Sequence, residues 1–146
     1  MPVTVTRLEP GIYRYQWLGL TRLEETREAL QGAVEQGKQH GDNPHVQIID
    51  LSEVRRYPVD LRGLGEISEM QREYVRCVLV VAASPGAKLL GRTLTRIVPA
   101  LRNMQFHETL DQAVVAAREI IGEDASRGIN LDQIPLDVTP TDGDGA

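Results

Sequence analysis

The sequence is poor in aromatic residues, in cysteine and in long apolar runs. Aromatic residues make up 4% of the 146 residues, so the core must be built from Leu, Val, Ile and Ala. The single cysteine excludes an internal disulfide bond. No apolar run approaches the roughly 18 residues that a membrane helix needs, and the first residues show no signal-peptide pattern. We therefore expect a cytoplasmic protein without a membrane span.

Motifs for catalysis or cofactor binding are also missing. The histidines His40, His45 and His107 are scattered singly, so we interpret them as surface or loop residues rather than metal ligands. Cys77 lies in the apolar run CVLVVAA, which favours a small core residue over a nucleophile. No glycine-rich phosphate or dinucleotide loop occurs. These observations predict that the protein is not an enzyme and needs neither a cofactor nor a metal.

The net charge of −5 is unevenly distributed along the chain. Residues 123–146 hold six acidic residues and one arginine, which accounts for the whole excess, while residues 1–122 hold equal numbers of acids and bases. A nucleic-acid-binding protein normally has a basic face and often a basic total. We therefore expect no nucleic-acid partner.

Apolar periodicity predicts the element order ββαβαβαβα. Two strands, residues 3–8 and 12–18, should form a hairpin around a Glu-Pro-Gly turn. Helices are predicted after a capping box at residues 21–24, over residues 60–74 and 87–101, and from a second capping box at residues 109–112 to residue 121, with further strands over residues 46–51, 77–83 and 104–106. Gly122 should end the last helix. The chain then divides into a domain of residues 1–122 and an acidic, disordered tail of residues 123–146.

The stretch from His45 to Ile67 is where we expect a working surface. Its apolar first half predicts a buried strand, and the polar residues from Asp50 onward predict a loop that leads to a helix near Asp60. In mixed sheets, partners and ligands usually meet the loop at the carboxyl end of such a strand. Asp50 and Asp60 could pair as carboxylates across this loop, although acids are common at strand ends and helix N-caps for structural reasons.

Several short motifs join this element order. They are Trp17-Leu18-Gly19 before a capped helix, Asp50-Leu51-Ser52-Glu53-Val54, Asp60-Leu61-Arg62-Gly63-Leu64, and Phe106 before a Thr-capped helix. Together they resemble the STAS domain and its SpoIIAA-like relatives, the family of the anti-sigma factor antagonists, over about residues 3–121. The resemblance implies a mixed β-sheet of about five strands with four helices. It also implies a protein partner, such as an anti-sigma-like kinase or another signalling protein.

The sequence departs from this family where its regulation takes place. The family's regulatory serine falls at Leu61 and its neighbour at Arg62, and a serine kinase can modify neither. Phosphorylation adds close to two negative charges at a helix N-terminus, so the usual switch is absent here. Ser52 and Ser84 remain as candidate acceptors, although serine at a strand end is more typical of a turn or cap.

Our leading hypothesis is a non-catalytic interaction and regulatory module that binds another protein through residues 50–65. The candidate partner-binding residues are Ser52, Arg55, Arg56, Tyr57, Asp60 and Arg62, with Tyr57 as an aromatic anchor. A second basic group, Lys88, Arg92 and Arg96, forms a stripe on the third predicted helix. It is either a solvated face balanced by nearby Glu residues or a docking site for an anion or acidic partner, including the acidic tail itself.

Two alternatives stay open. A small-molecule or lipid-binding role would need an internal apolar cavity under the third helix. Homodimerisation could use the side of the second strand that carries Tyr13, Tyr15 and Trp17, provided that no helix covers it.

Overall fold

The computed structural model describes residues 3–56, 61–97 and 104–133. Within these ranges only the backbone is described for residues 55, 56, 61, 62, 64, 65, 68, 70, 71, 94, 97 and 124–133. Among the helices of this described part, none is long and apolar enough to cross a membrane.

Nine elements follow one another in the predicted order. They are β1 (Val3–Glu9), β2 (Ile12–Leu20), α1 (Leu23–His40), β3 (His45–Arg56), α2 (Leu61–Tyr74), β4 (Val75–Val81), α3 (Pro85–Ile97), β5 (Gln105–His107) and α4 (Leu110–Gln133). The strands form one sheet in the order β1-β2-β3-β4-β5. β1 and β2 pair antiparallel, as the hairpin prediction requires, and the other neighbours pair parallel. The prediction of a five-stranded mixed sheet with four helices is confirmed.

Alternation along β2 sends its aromatic side chains into the core beneath α1. Tyr13 and Tyr15 are fully buried and Trp17 is 7% exposed, in contact with a cluster that includes Leu30 and Ala33 of α1. A helix therefore covers the face that was considered for homodimerisation. That route to a dimer is excluded, because these aromatic rings are not available to a second molecule.

The opposite face of the sheet packs against α4. Ile48 and Leu79 lie fully buried against Ala113 and Ala117, whose small side chains let the helix approach the strands closely. Cys77 is buried in the same cluster, which confirms its prediction as a core residue.

α3 lies close to the sheet beside β5. A Cβ atom added at Gly91 would lie 2.6 Å from Cζ of Phe106, so helix and strand are in contact there. Leu90 and Phe106 pack together on Val78 and Val80. Side chains therefore fill the space between α3 and β5 at Gly91, and the small-molecule or lipid-binding alternative stays a prediction.

The two predicted capping boxes have different outcomes. At α4, Gln112 N donates to Thr109 Oγ1 (3.2 Å) and Thr109 N donates to the Gln112 side chain (3.3 Å), as predicted. α1 begins one residue later than expected, with Arg22 N donating to Glu25 Oε1 (2.8 Å). Thr21 Oγ1 instead donates to the carbonyl oxygen of Leu18. The Thr21 cap was wrong by one residue.

α4 continues through Gly122 to Gln133. The predicted helix end at Gly122 is therefore wrong, and the first eleven residues of the acidic tail are helical. One glycine inside a helix costs only about 1 kcal/mol relative to alanine, so it need not end the helix. Residues 134–146 of the tail lie outside the described residues.

Candidate functional site

β3 extends well beyond its apolar half. The polar residues from Asp50 to Arg56 belong to the strand, so the prediction of a loop over these residues is wrong. The register changes from Gln16 opposite Asp50 to Leu18 opposite Glu53, which places one extra residue on β3. Such a bulge bends a strand and turns its side chains in new directions. The polar sequence that follows the apolar half of β3 is therefore a bulged strand and not a loop.

Asp50 holds this bulge in place from inside the protein. Its side chain is 3% exposed, and its Oδ1 accepts hydrogen bonds from Ser52 N (2.9 Å) and Ser52 Oγ (2.6 Å). Its Oδ2 accepts from Arg14 Nε (3.0 Å) and Nη2 (2.7 Å) on the neighbouring strand. Burial raises the pKa of Asp50, but the hydrogen bonds from Ser52 and Arg14 outweigh it, so the pKa lies below its ordinary value. Asp50 is therefore an ionised structural acceptor whose two oxygens are both engaged.

The bulge presents a mixed surface at the carboxyl end of the sheet. Ser52 and Glu53 are exposed, and Gln16 Nε2 donates to Glu53 Oε2 (2.8 Å) across the strands. Leu20 at the end of β2 is 57% exposed. We call this surface the β3 rim and define it by Gln16, Leu20, Ser52 and Glu53 together with the backbone positions 55 and 56. It combines polar groups of fixed position with one apolar contact.

The predicted partner-binding residues fall partly on this rim. Ser52 lies on it with a described side chain, and Arg55 and Arg56 continue the same strand, with Arg56 opposite Leu20 in the register. Arg62 lies in the first turn of α2, with only its backbone described. Tyr57 and Asp60 lie outside the described residues, as does the proposed pairing of Asp60 with Asp50. The structure therefore brings Ser52, Arg55 and Arg56 to one strand end.

Sequence reasoning missed the contribution of β2 to this site. Arg14 and Gln16 lie on the side of β2 opposite its aromatic residues, and both reach across to β3. The alternation of residues along β2 could have indicated this contribution. A half-buried strand with arginine and glutamine on one face must direct these side chains to polar partners.

A second polar cluster lies at the amino end of β3. His45 is fully buried, so its interpretation as a surface or loop residue is wrong. Asn43 Nδ2 donates to the carbonyl oxygen of Val34 (3.1 Å), which leaves Asn43 Oδ1 as the acceptor for His45 Nδ1 (3.0 Å). His45 Nε2 must then be the unprotonated nitrogen, and it accepts from the hydroxyl of Tyr15 (2.9 Å). This arrangement satisfies a neutral imidazole on both sides.

The same end of the sheet holds a buried acid. Asp42 accepts hydrogen bonds from the Tyr13 hydroxyl (2.8 Å) and from Arg7 Nε (2.7 Å). Burial raises the pKa of Tyr13 to about 12, and burial lowers the pKa of His45 from 6.5 to about 4. Gly37 of α1 makes room for this cluster, because a Cβ there would lie 2.1 Å from Asn43 Oδ1. We call these contacts around His45 and Asp42 the amino-end cluster.

The basic stripe on α3 is largely open to solvent. Arg92 and Arg96 are exposed and Lys88 is half-buried. Two of the three acids of the neighbouring helix α2 pair elsewhere, Glu66 with Arg27 (4.0 Å) and Glu69 with Arg72 (3.7 Å). The expectation that nearby Glu residues balance the stripe finds no support among these contacts.

No catalytic or metal constellation is formed by the described residues. Within them, no group of three His, Cys, Asp or Glu side chains is placed to hold a metal ion. One open groove of about 470 Å³ lies between β5 and α4 and is lined by Gln105, Ala116, Glu119, Ile120, Gly122 and Glu123. A smaller one of about 270 Å³ lies between α1 and Tyr74. Neither groove brings a nucleophile next to a general base.

Comparison with known proteins shows similarity in structure and none in sequence. The sequence matches no protein-family model and no curated protein. The structure is similar to the crystal structure of an uncharacterised protein of the DUF3478 family, with a SpoIIAA-like fold, from Shewanella loihica PV-4. The TM-score is 0.55 at 14% sequence identity, over 79% of this chain and 91% of that one. Similarity at this identity shows the fold alone. The chain therefore has a SpoIIAA-like fold, as the sequence motifs predicted.

Proposed function

We propose that this chain is a non-catalytic interaction module that binds another protein through the β3 rim and the start of α2. The observation that carries the proposal is the bulge held by Asp50. A buried carboxylate with four hydrogen bonds fixes the position of Ser52 and Glu53, and their side chains remain exposed. Polar groups of fixed position lose little conformational freedom when a partner binds, which favours recognition.

The composition of the rim suits a protein surface better than a small ligand. Leu20 supplies an exposed apolar side chain at the end of β2, opposite Arg56 of the strand that carries Ser52 and Glu53. Arg55, Arg56 and Arg62 would add guanidinium groups that match the carboxylates of an acidic partner. Tyr57 would add an aromatic anchor and Asp60 a polar contact.

The ionisation and the hydrogen bonds of Asp50 also argue against catalysis at the β3 rim. Both carboxylate oxygens accept hydrogen bonds, and the lowered pKa keeps the group ionised and engaged. The Ser52 hydroxyl donates to it, but among the described residues no histidine or lysine lies in contact to accept a proton from that serine. A general base needs a free acceptor and a pKa near the working pH, and Asp50 has neither.

The resemblance to anti-sigma factor antagonists suggests an intracellular signalling protein as the partner, with an anti-sigma-like kinase as one choice. Without a modifiable residue at Leu61 or Arg62, binding would not be controlled by phosphorylation at the family position. Control of binding would then have to act at another residue, and Ser52 and Ser84 are the candidate acceptors.

A charge-reversal experiment tests the rim. The tagged full chain and its Arg55→Glu/Arg62→Glu variant are used to capture proteins from the native cell, and bound proteins are quantified by mass spectrometry. We expect at least one protein bound by the wild type to fall by tenfold or more with the variant, because like charges at an interface repel. Recombinant partner and chain should then show the same ratio in a direct binding measurement.

A matched control separates the rim from total charge. Lys38→Glu/Arg72→Glu makes the same charge change on exposed cations at the far ends of α1 and α2, where Lys38 pairs with Glu35 and lies 5.8 Å from the Tyr74 ring centroid and Arg72 pairs with Glu69. This variant should retain the partner. Identical sets of bound proteins for both variants and the wild type would refute the proposal.

A further inference from the structure

Three helices lie side by side on one face of the sheet. Ile49 of β3 packs with the cluster beneath α1 and α2, and it also packs with Val78 and Val80 of β4, on which Leu90 of α3 lies. α4 packs against the alternate side chains of these strands, on the opposite face. α2 contacts both α1 and α3, so the order across the first face is α1, α2, α3. We call the outer surface of these three helices the helical face.

Charge is divided across the helical face. α1 carries four acidic and two basic residues, whereas α3 carries three basic residues and no acid. The acid-free stretch is longer than the helix, because residues 75–106 hold five basic residues and not one Asp or Glu. Within the described residues, Glu28, Lys88 and Arg92 form no ion pair, and Glu35 is joined only to Lys38 on its own helix (3.5 Å). The helical face therefore has an acidic side and a basic side.

Gly32 leaves a gap in the outer surface of α1. It is exposed, and a Cβ atom added there would meet no other part of the described chain within 4 Å. Glycine inside a helix weakens it relative to alanine, so the packing of the described chain gives no reason for a glycine here. Glu28 lies four residues before it and Glu35 three residues after it, on the same side of the helix, and both are exposed. α1 thus presents a gap with a carboxylate on either side.

α3 presents the complementary arrangement. Leu89 is the most exposed of the large hydrophobic side chains in the described residues, at 64%. Lys88 precedes it, and Arg92 lies three residues after it on a neighbouring position of the helix surface. A protruding apolar side chain accompanied by cations on α3 therefore matches a gap flanked by acids on α1.

We propose that two copies of this chain associate through their helical faces, with Leu89 of each copy seated at Gly32 of the other. The cations beside Leu89 would pair with the acids beside Gly32. The contact lies on the outer surfaces of α1 and α3, whereas the proposed partner site lies at the strand ends. Self-association can therefore fail without affecting binding at the β3 rim.

Twofold symmetry is compatible with this contact. α1, α2 and α3 each connect two neighbouring parallel strands, so the three helices run in the same direction. A twofold axis along this direction and above α2 places α1 of one copy on α3 of the other and repeats the contact on the far side. Arg92 and Glu35 each follow their contact residue by three positions, so these two side chains meet. Lys88 would reach back to Glu28.

The charges of the helical face favour a second copy over an anionic membrane. A membrane that touched α3 would also approach the acids of α1 and be repelled by them. A second copy brings acids to α3 and cations to α1 at the same time. α2 would face its own copy with both signs of charge, since Glu69 and Arg72 are paired there (3.7 Å).

The association should be weak and sensitive to salt. An exposed ion pair strengthens a contact by at most about fivefold, although twofold symmetry makes every contact occur twice. Salt screens these pairs, since the Debye length falls from about 10 Å at 0.1 M to about 3 Å at 1 M. We therefore expect a dimer that forms at high protein concentration and dissociates on dilution.

Sedimentation equilibrium of the full chain tests the contact. At about 50 mM salt we expect a species of twice 16.2 kDa that dissociates at about 1 M salt. Leu89→Ser removes the apolar contact and Gly32→Gln fills the gap, so each should weaken association by tenfold or more. Val115→Ser and Gly122→Gln make the same changes at exposed positions of α4, on the opposite face of the sheet. These two controls should dimerise like the wild type.

Two charge variants identify the pairing. Lys88→Glu/Arg92→Glu leaves acids on both sides of the helical face, and Glu28→Lys/Glu35→Lys leaves cations on both, so neither variant should self-associate. Mixed in equal amounts they should form a heterodimer, because every contact then joins opposite charges again. Native mass spectrometry separates the heterodimer from either homodimer by mass, and thermal unfolding confirms that each variant is folded.

Three results overturn the proposal. The first is a wild type that stays monomeric at about 1 mM, where even a millimolar dissociation constant gives a visible dimer. The second is a dimer that survives both Leu89→Ser and Gly32→Gln, or folded charge variants that do not combine. The third is a monomer that binds phosphatidylserine vesicles and loses this binding with Lys88→Glu/Arg92→Glu, which would assign α3 to a membrane surface.

Discussion

β3 has a polar cluster at each end, and the two clusters differ in how many of their side chains are exposed to solvent. At the amino end, His45 and Tyr15 are fully buried, and each polar atom of the imidazole has a partner inside the protein. At the carboxyl end, Asp50 is equally buried, but its partners Arg14 and Ser52 reach the surface. Both clusters satisfy their buried groups, as buried polar groups generally must be.

The comparison shows that a buried polar group by itself does not mark a working site. The amino-end cluster ties β1, β2, β3 and the end of α1 together, and although Arg7 is 31% exposed, its guanidinium donates to the buried carboxylate of Asp42. The carboxyl-end cluster also ties β2 to β3, and it positions Ser52 and Glu53 where another molecule can touch them. Under the proposed function, the exposed members of a cluster, and not its buried centre, provide the contacts for a partner.

The largest expected effect comes from opening the amino-end cluster. His45→Ala removes a fully buried ring and leaves the Tyr15 hydroxyl and the Asn43 carbonyl oxygen without partners. The cavity and the two unpaired groups together should lower the free energy of unfolding by about 3–4 kcal/mol. Urea unfolding followed by the fluorescence of Trp17 measures this directly. A loss below about 1 kcal/mol would show that water enters and replaces the ring, and the cluster would not be closed.

Acidification should open the same cluster without a mutation. Burial lowers the pKa of His45 to about 4, so the unfolded chain binds a proton at higher pH than the folded one. Stability is then fully present above about pH 6.5 and falls as the pH drops toward 4. We expect a loss of about 2 kcal/mol between pH 7 and pH 5, from the size of this pKa shift.

The His45→Ala variant provides the control for the pH dependence. Its stability should change little between pH 7 and pH 5, because the pKa values of Asp42 and Asp50 are lowered and their contributions are lost only at more acidic pH. If stability depends on pH equally in the wild type and the variant, the pH dependence belongs to another titratable group.

Much of the fold followed from local sequence patterns. Alternation predicted both strands of the hairpin, and the Thr109–Gln112 box predicted the start of α4, since each signal involves residues that contact one another in the structure. The Thr21 box failed because the neighbouring acids Glu24 and Glu25 allow two registers, and only packing decides between them.

The candidate site was harder to predict because its geometry depends on pairing between distant residues. The polar stretch after Leu51 has the composition of a loop, yet pairing with β2 makes it a bulged strand. His45 looked like an isolated loop histidine because its partners Tyr15 and Asn43 are assigned to it only by the fold. The location of the site at the end of β3 was predictable, and the role of Arg14 in it was not recognised.

A smaller effect is expected from the buried acid at the carboxyl end. Asp50→Asn keeps an oxygen for Ser52 but places an amide NH2, which is a donor, opposite the donating guanidinium of Arg14. Because Arg14 remains partly open to water, the cost should be about 1–2 kcal/mol, below that of His45→Ala. The variant should also lose part of the wild type's acid sensitivity below pH 4, since the lowered pKa of Asp50 stabilises the fold only while the carboxylate is ionised. If Asp50→Asn lowers the free energy of unfolding more than His45→Ala does, the carboxyl-end cluster contributes more to stability than the amino-end cluster.

The smallest effect on stability, and the sharpest test of the comparison, comes from Ser52→Ala. The hydroxyl is exposed, and Asp50 keeps its hydrogen bonds from the backbone of residue 52 and from Arg14. Since one of the four hydrogen bonds to Asp50 is lost and the other three remain, stability should fall by only about 0.5–1 kcal/mol. Partner capture should fall in spite of this, because the lost group belongs to the surface that the partner touches. If Ser52→Ala instead destabilises the protein as much as Asp50→Asn and leaves capture unchanged, the carboxyl end is as purely structural as the amino end, and the binding surface must lie elsewhere.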